Sequence, residues 1–296
     1  MSNALVLVVG GTGKLGSQVV GRLIDRGKRV RTLVRPTSQT GPLVDAGVEL
    51  ARGDLLVPES LRRALDGVDA VVTSAAGYTG HTPGDTIETD RSGNLNLIDA
   101  AAAVGVRRFV FTSILTCDQT PQIPHFWAKK LAEDALADRG VPFVSLRPGA
   151  LVDDFGTWGG DGFAAGRVTS IGDSTVPLTR VYTPDLADNL AAAVDADVLA
   201  NESIDIGWDR PLSAKELVEV ASRILGRDIE LVEMDPEQIR FPNMSDDDRN
   251  DLMAMFTYFQ TGRYIADTRR QADVFGSVPV AEDVMRRRLA VLGHGG

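Results

Sequence analysis

Short apolar runs and amphipathic stretches alternate through the first half of the chain. The first run is Val6-Leu7-Val8-Val9, and the stretch after it carries apolar residues at helical spacing. Further apolar runs of strand length occupy residues 29–34, 48–51, 70–73, 109–113 and 143–146, and helical patterns occupy residues 61–65, 89–104 and 131–136. Strands that alternate with helices predict right-handed βαβ units and a parallel sheet of the α/β class.

The alternation loosens after residue 150. Residues 153–172 are rich in glycine and predict a long mobile connection or lid. A helix is predicted over 183–194, a strand over 203–206, and a further helix with Ser213 as its N-cap and Glu216 closing a capping box. The predicted organisation is a first domain at 1–150, to which residues 176–206 return, and a smaller α/β lobe formed by 151–175 and 207–296.

A glycine-rich loop joins the first predicted strand to the first predicted helix. Its glycines fit the dinucleotide fingerprint G-x-G-x-x-G. Gly10 and Gly11 allow a sharp exit from the strand, where positive φ favours glycine. Gly13 lets a pyrophosphate approach the backbone, Gly16 lets the helix pack close to the sheet, and the helix N-terminus attracts the anion. This context favours a nucleotide site over a ligand-free turn, and the candidate contacts are Gly10, Gly11, Thr12, Gly13, Lys14, Leu15 and Gly16.

The second predicted strand ends at Arg35, about 20 residues beyond the loop. In a sheet of this kind, the end of that strand meets the adenosine ribose of a bound dinucleotide. A guanidinium there attracts a 2′-phosphate through a charge-assisted contact worth about 1.5–3 kcal/mol. The sequence therefore favours NADP(H) as cofactor and leaves NAD(H) possible. The alternative for Arg35 is a solvated charge at a strand end.

Two further strand ends supply candidate cofactor contacts. Asp54 follows the third predicted strand and is placed to accept from an adenine amino group, with Leu55 against the ring. A turn aspartate that caps the next segment is the alternative, and both roles are compatible. Ala75 lies in a stretch of small residues after the fourth predicted strand, where the chain can pass beneath the cofactor.

Composition and charge narrow the function classes. The 296 residues carry a net charge of −10 and no strong basic run, which disfavours nucleic-acid binding. The single cysteine, Cys117, excludes an internal disulfide framework and suits a reducing compartment. The apolar N-terminus is too short for a membrane span, so we expect a cytoplasmic protein without membrane contact. His81 and His294 lack metal-ligand spacing, and we expect no metal.

Taken together, these segments resemble the atypical short-chain dehydrogenase/reductase superfamily, and within it the NmrA-like group. The resemblance extends over nearly the whole chain. Its specific parts are the glycine loop and residues 125–133, and further parts are Gly53-Asp54-Leu55, residues 108–113, residues 146–149, residues 206–208, residues 264–267 and residues 275–279. It implies a Rossmann-type doubly wound sheet that binds NADP(H), a smaller C-terminal substrate-binding lobe, and cofactor contacts at Ser113 and Pro148.

The chain departs from this family at the catalytic positions. Ketone-reducing members use a Tyr-x-x-x-Lys pair, in which the tyrosine supplies a proton and the lysine binds the nicotinamide ribose. Alignment of Lys129 with that lysine places His125 at the tyrosine position, and residues four apart share a helix face. The family serine at the end of the fifth strand falls on Ile114, one residue after Ser113. Lys129 and His125 are therefore the candidate catalytic residues.

Three functions follow from the resemblance. In the first, the protein is an NADPH-dependent oxidoreductase that transfers a hydride to a small apolar carbonyl, quinone or activated alkene. In the second, it binds NADP(H) without chemistry and reports the redox state to a protein partner. In the third, it is an NAD(P)-dependent isomerase, epimerase or dehydratase. The first is favoured, with a hydrophobic or aromatic substrate, and the protein is expected to be a monomer or a homodimer.

Overall fold

The computed structural model describes residues 4–77, 86–155, 161–198, 201–239 and 245–291. The chain divides into two compact units. The first unit comprises Met1–Arg147 and Pro184–Ile204, and the second comprises Pro148–Thr183 and Asp205–Gly296. Each unit has its own cluster of buried apolar side chains.

The elements follow one another in a regular βα alternation up to residue 148. They are β1 (Leu5–Val9), α1 (Lys14–Asp25), β2 (Arg29–Val34), α2 (Gly41–Asp45), β3 (Glu49–Arg52), α3 (Pro58–Ala64), β4 (Ala70–Thr73), α4 (Asn94–Val104), β5 (Arg108–Thr112), α5 (Pro124–Asp138) and β6 (Phe143–Pro148). A π-helical segment at Thr86–Gly93 runs directly into α4, and a 3-10 turn at Cys117–Gln119 precedes α5.

The elements beyond residue 148 are shorter and less regular. They are β7 (Ala150–Leu151), α6 (Gly162–Ala165), β8 (Arg167–Ile171), β9 (Arg180–Val181), α7 (Thr183–Ala193), β10 (Glu202–Ile206), α8 (Ala214–Leu225), β11 (Glu230–Met234), α9 (Asp246–Phe259), α10 (Arg269–Phe275) and α11 (Ala281–Ala290).

A seven-stranded sheet in the order β10-β6-β5-β4-β1-β2-β3 forms the centre of the first unit. The pairings β1–β2, β2–β3, β1–β4, β4–β5 and β5–β6 are all parallel. From β1 the chain continues to β2 and β3 on one side of β1, and it then crosses to β4 on the other side. The order of the strands therefore reverses between β1 and β4. This confirms the predicted doubly wound α/β sheet, and ligands of such sheets bind at the reversal, beyond the carboxyl ends of the strands.

Apolar side chains on β1 and its neighbours hold this sheet together. All five residues of β1 are buried, as expected for a central parallel strand that is covered on both faces. Helix α1 buries Val19, Val20 and Leu23, which confirms its predicted apolar stripe. Helices α3, α4 and α5 contribute Leu61, Leu97, Ile98 and Leu136 to the buried cluster of the first unit, together with Leu7, Val71, Phe109 and Phe111.

The second unit contains two short parallel pairs, β7 with β9 and β8 with β11. The predicted start of α8 is confirmed, because Ser213 accepts from the backbone of Glu216 while the Glu216 side chain accepts from the backbone of Ser213. The buried cluster of this unit includes Phe163, Trp208, Leu217, Val284 and Met285.

The prediction of a mobile connection at 153–172 is wrong for its second half. Asp161 caps α6 through its side chain, and β8 pairs along its whole length with β11. Gly166 ends α6 with a φ of +78°, which is a helix-terminating role rather than a sign of mobility. Gly156, Gly159 and Gly160 lie outside the described residues.

The helical stretch predicted at 89–104 is only partly α-helical in the structure. Its first part is a π-helix that begins at Thr86, and only residues from Asn94 onward are α-helical. Wider π-type turns are rare and are often found at functional sites. Across the described helices, none is both long and apolar enough to cross a membrane.

Candidate functional site

The glycine loop after β1 requires glycine at three positions, each for a measurable reason. Gly10 has a φ of +87°, in the left-handed region. A Cβ atom at Gly16 would lie 2.1 Å from the carbonyl oxygen of Gly10, so α1 reaches the strand exit only without a side chain there. A Cβ at Gly11 would lie 2.6 Å from Cγ2 of Thr32 on β2. The expected positive φ is thus found at Gly10 but not at Gly11, which instead allows a close approach to β2.

The N-terminus of α1 is open to a ligand. Gly13 is the N-cap residue, and no side chain caps the helix. The first-turn amides of a helix have no partner within the helix, so they are available to an anion. Thr12, Gly13 and Lys14 are exposed, and Leu15 is half-buried. The loop and the helix terminus together therefore form a cradle of the kind that a pyrophosphate occupies.

Arg35 lies one residue beyond β2, at the same edge of the sheet as the glycine loop. Strands β1 and β2 are paired in register up to Val9 and Leu33, and Arg35 is exposed. Its backbone forms a tight turn with Ser38, in which each backbone amide donates to the other residue at 3.0–3.1 Å. The guanidinium is thereby placed at the end of the strand that neighbours the cradle.

Asp54 forms a turn with its own side chain, which is the alternative to an adenine contact. Its Oδ1 accepts from the backbone N–H of Leu56 at 2.9 Å. Leu55 is half-buried, and its carbonyl oxygen accepts from the side chain of Asn96 at 3.0 Å. Both residues follow β3, at the edge of the sheet where β2 ends. An adenine contact by Asp54 and Leu55 stays a prediction.

The chain after β4 lies against the glycine loop. A Cβ atom on Gly10 would be 2.9 Å from Oγ of Ser74 and 3.0 Å from the backbone nitrogen of Ala75. The carbonyl oxygen of Ala75 accepts from Nζ of Lys129 at 3.4 Å. The structure therefore brings together three segments that are far apart in the sequence: the glycine loop, the end of β4 and helix α5.

Lys129 forms a buried ion pair with Asp90. Its Nζ lies 2.9 Å from Oδ1 of Asp90, and the two side chains are 11% and 0% exposed. Oδ2 of Asp90 accepts from the backbone N–H of Gly77 at 3.0 Å. The Lys129 ammonium also lies 5.5 Å from the centre of the Phe111 ring. Asp90 thus fixes both the lysine and the chain that follows β4.

Sequence reasoning missed Asp90, although a signal was present. Asp90, Asn94, Leu97 and Ala101 follow the helical spacing of one face, and that face carries the apolar residues of α4. An aspartate is almost never fully buried without a partner. An acidic residue in the apolar stripe therefore indicates a buried cation nearby, and its position within the π-helical segment is typical of a functional site.

His125 lies one helical turn before Lys129 on α5. It is 3% exposed, and its ring meets the ring of Phe126 edge-on at a centroid distance of 4.7 Å. Both candidate catalytic residues are therefore buried on the same helix. A catalytic role for either residue stays a prediction.

Ser113 and Cys117 lie together behind the end of β5. Oγ of Ser113 is 3.5 Å from Sγ of Cys117, and both residues are buried. Burial, reinforced by the charge of Glu133, raises the pKa of the Cys117 thiol to about 12. A thiol of this kind is not a nucleophile at neutral pH. Ser113 is 4% exposed, and its contact with a cofactor stays a prediction.

A second buried ion pair fixes α5 to β6. The carboxylate of Glu133 accepts from Oγ of Ser145 at 2.6 Å and from Nε and Nη2 of Arg147 at 3.0 and 2.6 Å. Burial opposes the charge on Arg147, but the hydrogen bonds and charge of Glu133 outweigh it, and the pKa of Arg147 lies above its ordinary value. This contact positions the helix that carries Lys129.

Replacing Glu133 with alanine is expected to lower the free energy of unfolding by about 1.5–3 kcal/mol. The hydroxyl of Ser145 and two guanidinium nitrogens of Arg147 lose their acceptor, while Nη1 of Arg147 keeps its contact with Asp118 at 2.8 Å. Asp134→Ala is the matched control, since it removes the neighbouring exposed carboxylate that pairs with Lys130. That change should cost about 1 kcal/mol or less. Urea denaturation measures both values, and equal losses would contradict a structural role for the Glu133 pair.

Pro148 is the last residue of β6 and the first residue of the second unit. Its carbonyl oxygen accepts from the hydroxyl of Tyr264 at 3.4 Å. The predicted cofactor contact of Pro148 stays a prediction. In the described part of the chain, no group of three or more histidine, cysteine or acidic side chains is placed to hold a metal ion. His81 and His294 lie outside the described residues.

Comparison with known proteins identifies the family of the chain. The family model described as NAD(P)H-binding matches residues 10–197. Photosystem II assembly factor Ycf39 of Synechocystis sp. is 30% identical over 266 residues, which cover 89% of this chain and 77% of that protein. A (4-alkanoyl-5-oxo-2,5-dihydrofuran-3-yl)methyl phosphate reductase of Streptomyces griseus is 30% identical over 239 residues, which cover 80% of this chain and 79% of that protein.

The fold is shared with a solved structure of low sequence identity. The triphenylmethane reductase of Citrobacter sp., complexed with NADP(H), has a TM-score of 0.78 and 19% identity, and the match covers 97% of this chain and 100% of that chain. The parallel sheet, the reversal of its strand order and the glycine loop together define a dinucleotide-binding protein of the Rossmann type. The chain belongs to the NAD(P)H-binding family, in the atypical short-chain dehydrogenase/reductase group that its motifs resemble. The predicted cofactor class is confirmed, and the preference for NADP(H) stays a prediction.

Proposed function

We propose that the protein is an NADPH-dependent reductase that transfers a hydride to a small apolar or aromatic carbonyl, quinone or activated alkene. The observation that carries the proposal is the buried Lys129 ammonium. It is held by Asp90 and by the carbonyl of Ala75, beside the glycine loop. A buried ammonium near the reversal point of such a sheet, where ligands of this fold bind, supports a role for Lys129 in acting on a bound dinucleotide and its substrate.

The residues of the first unit fit NADP(H). The cradle at Gly10–Gly16 would hold the pyrophosphate, and Arg35 would hold the 2′-phosphate through charge-assisted hydrogen bonds. Lys129 would bind and orient the nicotinamide ribose, and His125 or Lys129 would handle the proton. The cofactor, when bound, supplies the hydride. Relatives and structural neighbours that are named as reductases support this kind of chemistry.

The cofactor preference is tested at Arg35. We expect NADPH to bind at least about tenfold more tightly than NADH, since one charge-assisted contact is worth about 1.5–3 kcal/mol. Arg35→Ala should remove most of that difference. Arg26→Ala is the control, because Arg26 is also exposed but lies at the other end of α1. Isothermal titration with both nucleotides measures the ratio, and equal affinities in the unmodified protein would rule out this role for Arg35.

A second function is favoured by one comparison. The Synechocystis relative is named an assembly factor, which suggests a protein that binds NADP(H) and acts through a protein partner. In that case, partner binding would depend on the nucleotide, and no carbonyl, quinone or alkene would oxidise NADPH in the presence of the protein. A broad substrate screen separates the two functions, because measurable turnover supports only the reductase.

A further inference from the structure

The second unit contains a buried arginine without a carboxylate partner. Arg180 lies on β9 and is 5% exposed. Its Nε atom is completely buried and has no hydrogen-bond partner, and no hydrogen bond or ion pair is formed by its other guanidinium nitrogens within the described residues. Arg288, the other buried arginine of the described part of the chain, pairs with Asp161 at 2.7 Å. Arg180 is therefore the exception.

The contact that Arg180 does make leaves its donors unsatisfied. The guanidinium carbon lies 4.5 Å from the centre of the Phe155 ring, a stacking distance. A ring face attracts the positive charge, but it does not replace oxygen acceptors for five N–H donors. Burial lowers the pKa of Arg180 to about 10, since desolvation disfavours the charged form, and the nearby Tyr264 hydroxyl opposes this shift only in part.

The backbone of Arg180 is fixed on both sides. On one side, β9 pairs with β7, and the amides of Ala150 and Val152 donate to Thr179 and Val181 at 3.0 and 2.9 Å. On the other side, the amide of Thr179 donates to the carbonyl of Tyr264 at 3.0 Å. Because the backbone that carries Arg180 is held in place before a ligand arrives, binding to the guanidinium costs the protein little conformational entropy.

No carboxylate among the described residues forms an ion pair with Arg180. Asp153, two residues before Phe155, accepts instead from the backbone and hydroxyl of Thr183 at 2.8 and 2.7 Å. A buried cation normally has an anionic partner, because an uncompensated charge is costly to remove from water.

We infer that Arg180 is the anchor of an anion-binding site in the second unit, which takes the carboxylate or phosphate group of a small-molecule ligand. A guanidinium matches either group with two parallel hydrogen bonds. Nη1 and Nη2, the two terminal nitrogens of the guanidinium, are the atoms that would bind the anion. The identification of this ligand with the substrate rests on the proposed reductase function, whereas binding of the anion does not.

The test is direct binding of inorganic phosphate and of benzoate, measured by isothermal titration at an ionic strength matched with sodium chloride. Unmodified protein is expected to bind at least one of the two probes about tenfold or more tightly than Arg180→Met. Arg167→Met is the matched control, since Arg167 lies on β8 of the same unit, is exposed and pairs with Glu230. Titrations with and without NADP⁺ show whether phosphate also binds at the glycine loop.

The outcomes separate the possible ligands. Binding of benzoate alone identifies a carboxylate site, binding of phosphate alone identifies a phosphate site, and binding of both supports the shared oxyanion chemistry. The proposal would be overturned if the unmodified protein, Arg180→Met and Arg167→Met bound the two probes equally, or if none of the three bound either probe. NADPH affinity and turnover are measured on the same samples, so a failure of the reductase function is distinguished from a failure of the anion site.

A stability measurement excludes a purely structural role. Without ligand, Arg180→Met should have a melting temperature equal to or above that of the unmodified protein, because it removes a buried charge that has no counterion. Arg288→Met should melt at a lower temperature, since it leaves Asp161 without its partner. A comparable fall in both variants would show that Arg180 is a structural residue and would contradict the proposal.

Discussion

Gly16→Ala is expected to weaken NADPH binding about 100-fold or more while the sheet remains folded. The added Cβ would lie 2.1 Å from the carbonyl oxygen of Gly10 and 2.9 Å from Oγ of Ser74. Because the nearest atom belongs to the backbone, α1 must move away from the strand exit. The helix amides would then lose their position toward the pyrophosphate. Loss of two charge-assisted hydrogen bonds, at about 1.5–3 kcal/mol each, gives this magnitude.

Gly21→Ala is the matched control for this prediction. Gly21 lies on the same helix, and a Cβ atom there would meet nothing within 4 Å. We expect unchanged NADPH affinity and a gain in stability of up to about 1 kcal/mol from the higher helix propensity of alanine. Circular dichroism and nucleotide titration of both variants provide the measurement. NADPH binding by a folded Gly16→Ala variant at the normal affinity would contradict the cradle.

A second variant keeps the test informative if Gly16→Ala does not fold. A Cβ atom at Gly13 would come no closer than 3.3 Å to any atom, the nearest being the carbonyl oxygen of Gly10. Gly13 is exposed, so Gly13→Ala should leave the fold intact and place a methyl group where the pyrophosphate is expected. A loss of affinity in this variant, without a loss of stability, would support the same site.

The parts of the fold that the sequence predicts well are those whose information is local. The glycine loop, the apolar stripe of α1 and the capping box of α8 each depend on residues within a few turns of one another. The parallel sheet follows from the alternation of such local elements. The position of Arg35 at the edge next to the loop then follows from the pairing of β1 with β2.

The parts that the sequence missed depend on distant partners. Strand β8 pairs with β11, which begins at Glu230, so residues 162–171 show no strand signal that outweighs their glycines. Asp90 and Lys129 are 39 residues apart and meet only because the π-helical segment and α5 lie side by side. Arg180 stands out because its buried Nε atom has no hydrogen-bond acceptor, and no local sequence pattern can show such an absence.

The ion pair of Asp90 and Lys129 bears on the choice between the two proposed functions. Lys129 is buried, and its ammonium is held by two oxygens at 2.9 and 3.4 Å. A buried ion pair is weak evidence for stability, because desolvation offsets much of its attraction. The proposed reductase function accounts for its position beside the glycine loop, because Asp90 would then position the ammonium for the nicotinamide end of a bound cofactor.

Lys129→Met is expected to lower the turnover number about 100-fold or more, which is the contribution of a positioned acid–base group. NADPH affinity should fall much less, since the pyrophosphate cradle and Arg35 are unchanged. Lys130→Met is the matched control, because the neighbouring lysine pairs with Asp134 on the other side of the helix turn and is more exposed. Its turnover should match that of the unmodified protein. The rate of NADPH oxidation with the best substrate of the screen measures each variant.

The charge left behind at Asp90 requires one further variant. Lys129→Met alone leaves a buried carboxylate without its cation, which is expected to cost about 3–5 kcal/mol of stability. The double variant Asp90→Asn with Lys129→Met removes both charges and should recover most of that stability, yet remain inactive, because the ammonium is still absent. Asp90→Asn alone should lower turnover while leaving the affinity for NADPH nearly unchanged, as a positioning residue does. Full turnover by a stable double variant would show that hydride transfer does not use Lys129, and the catalytic role of this lysine would then be wrong even though the protein is a reductase.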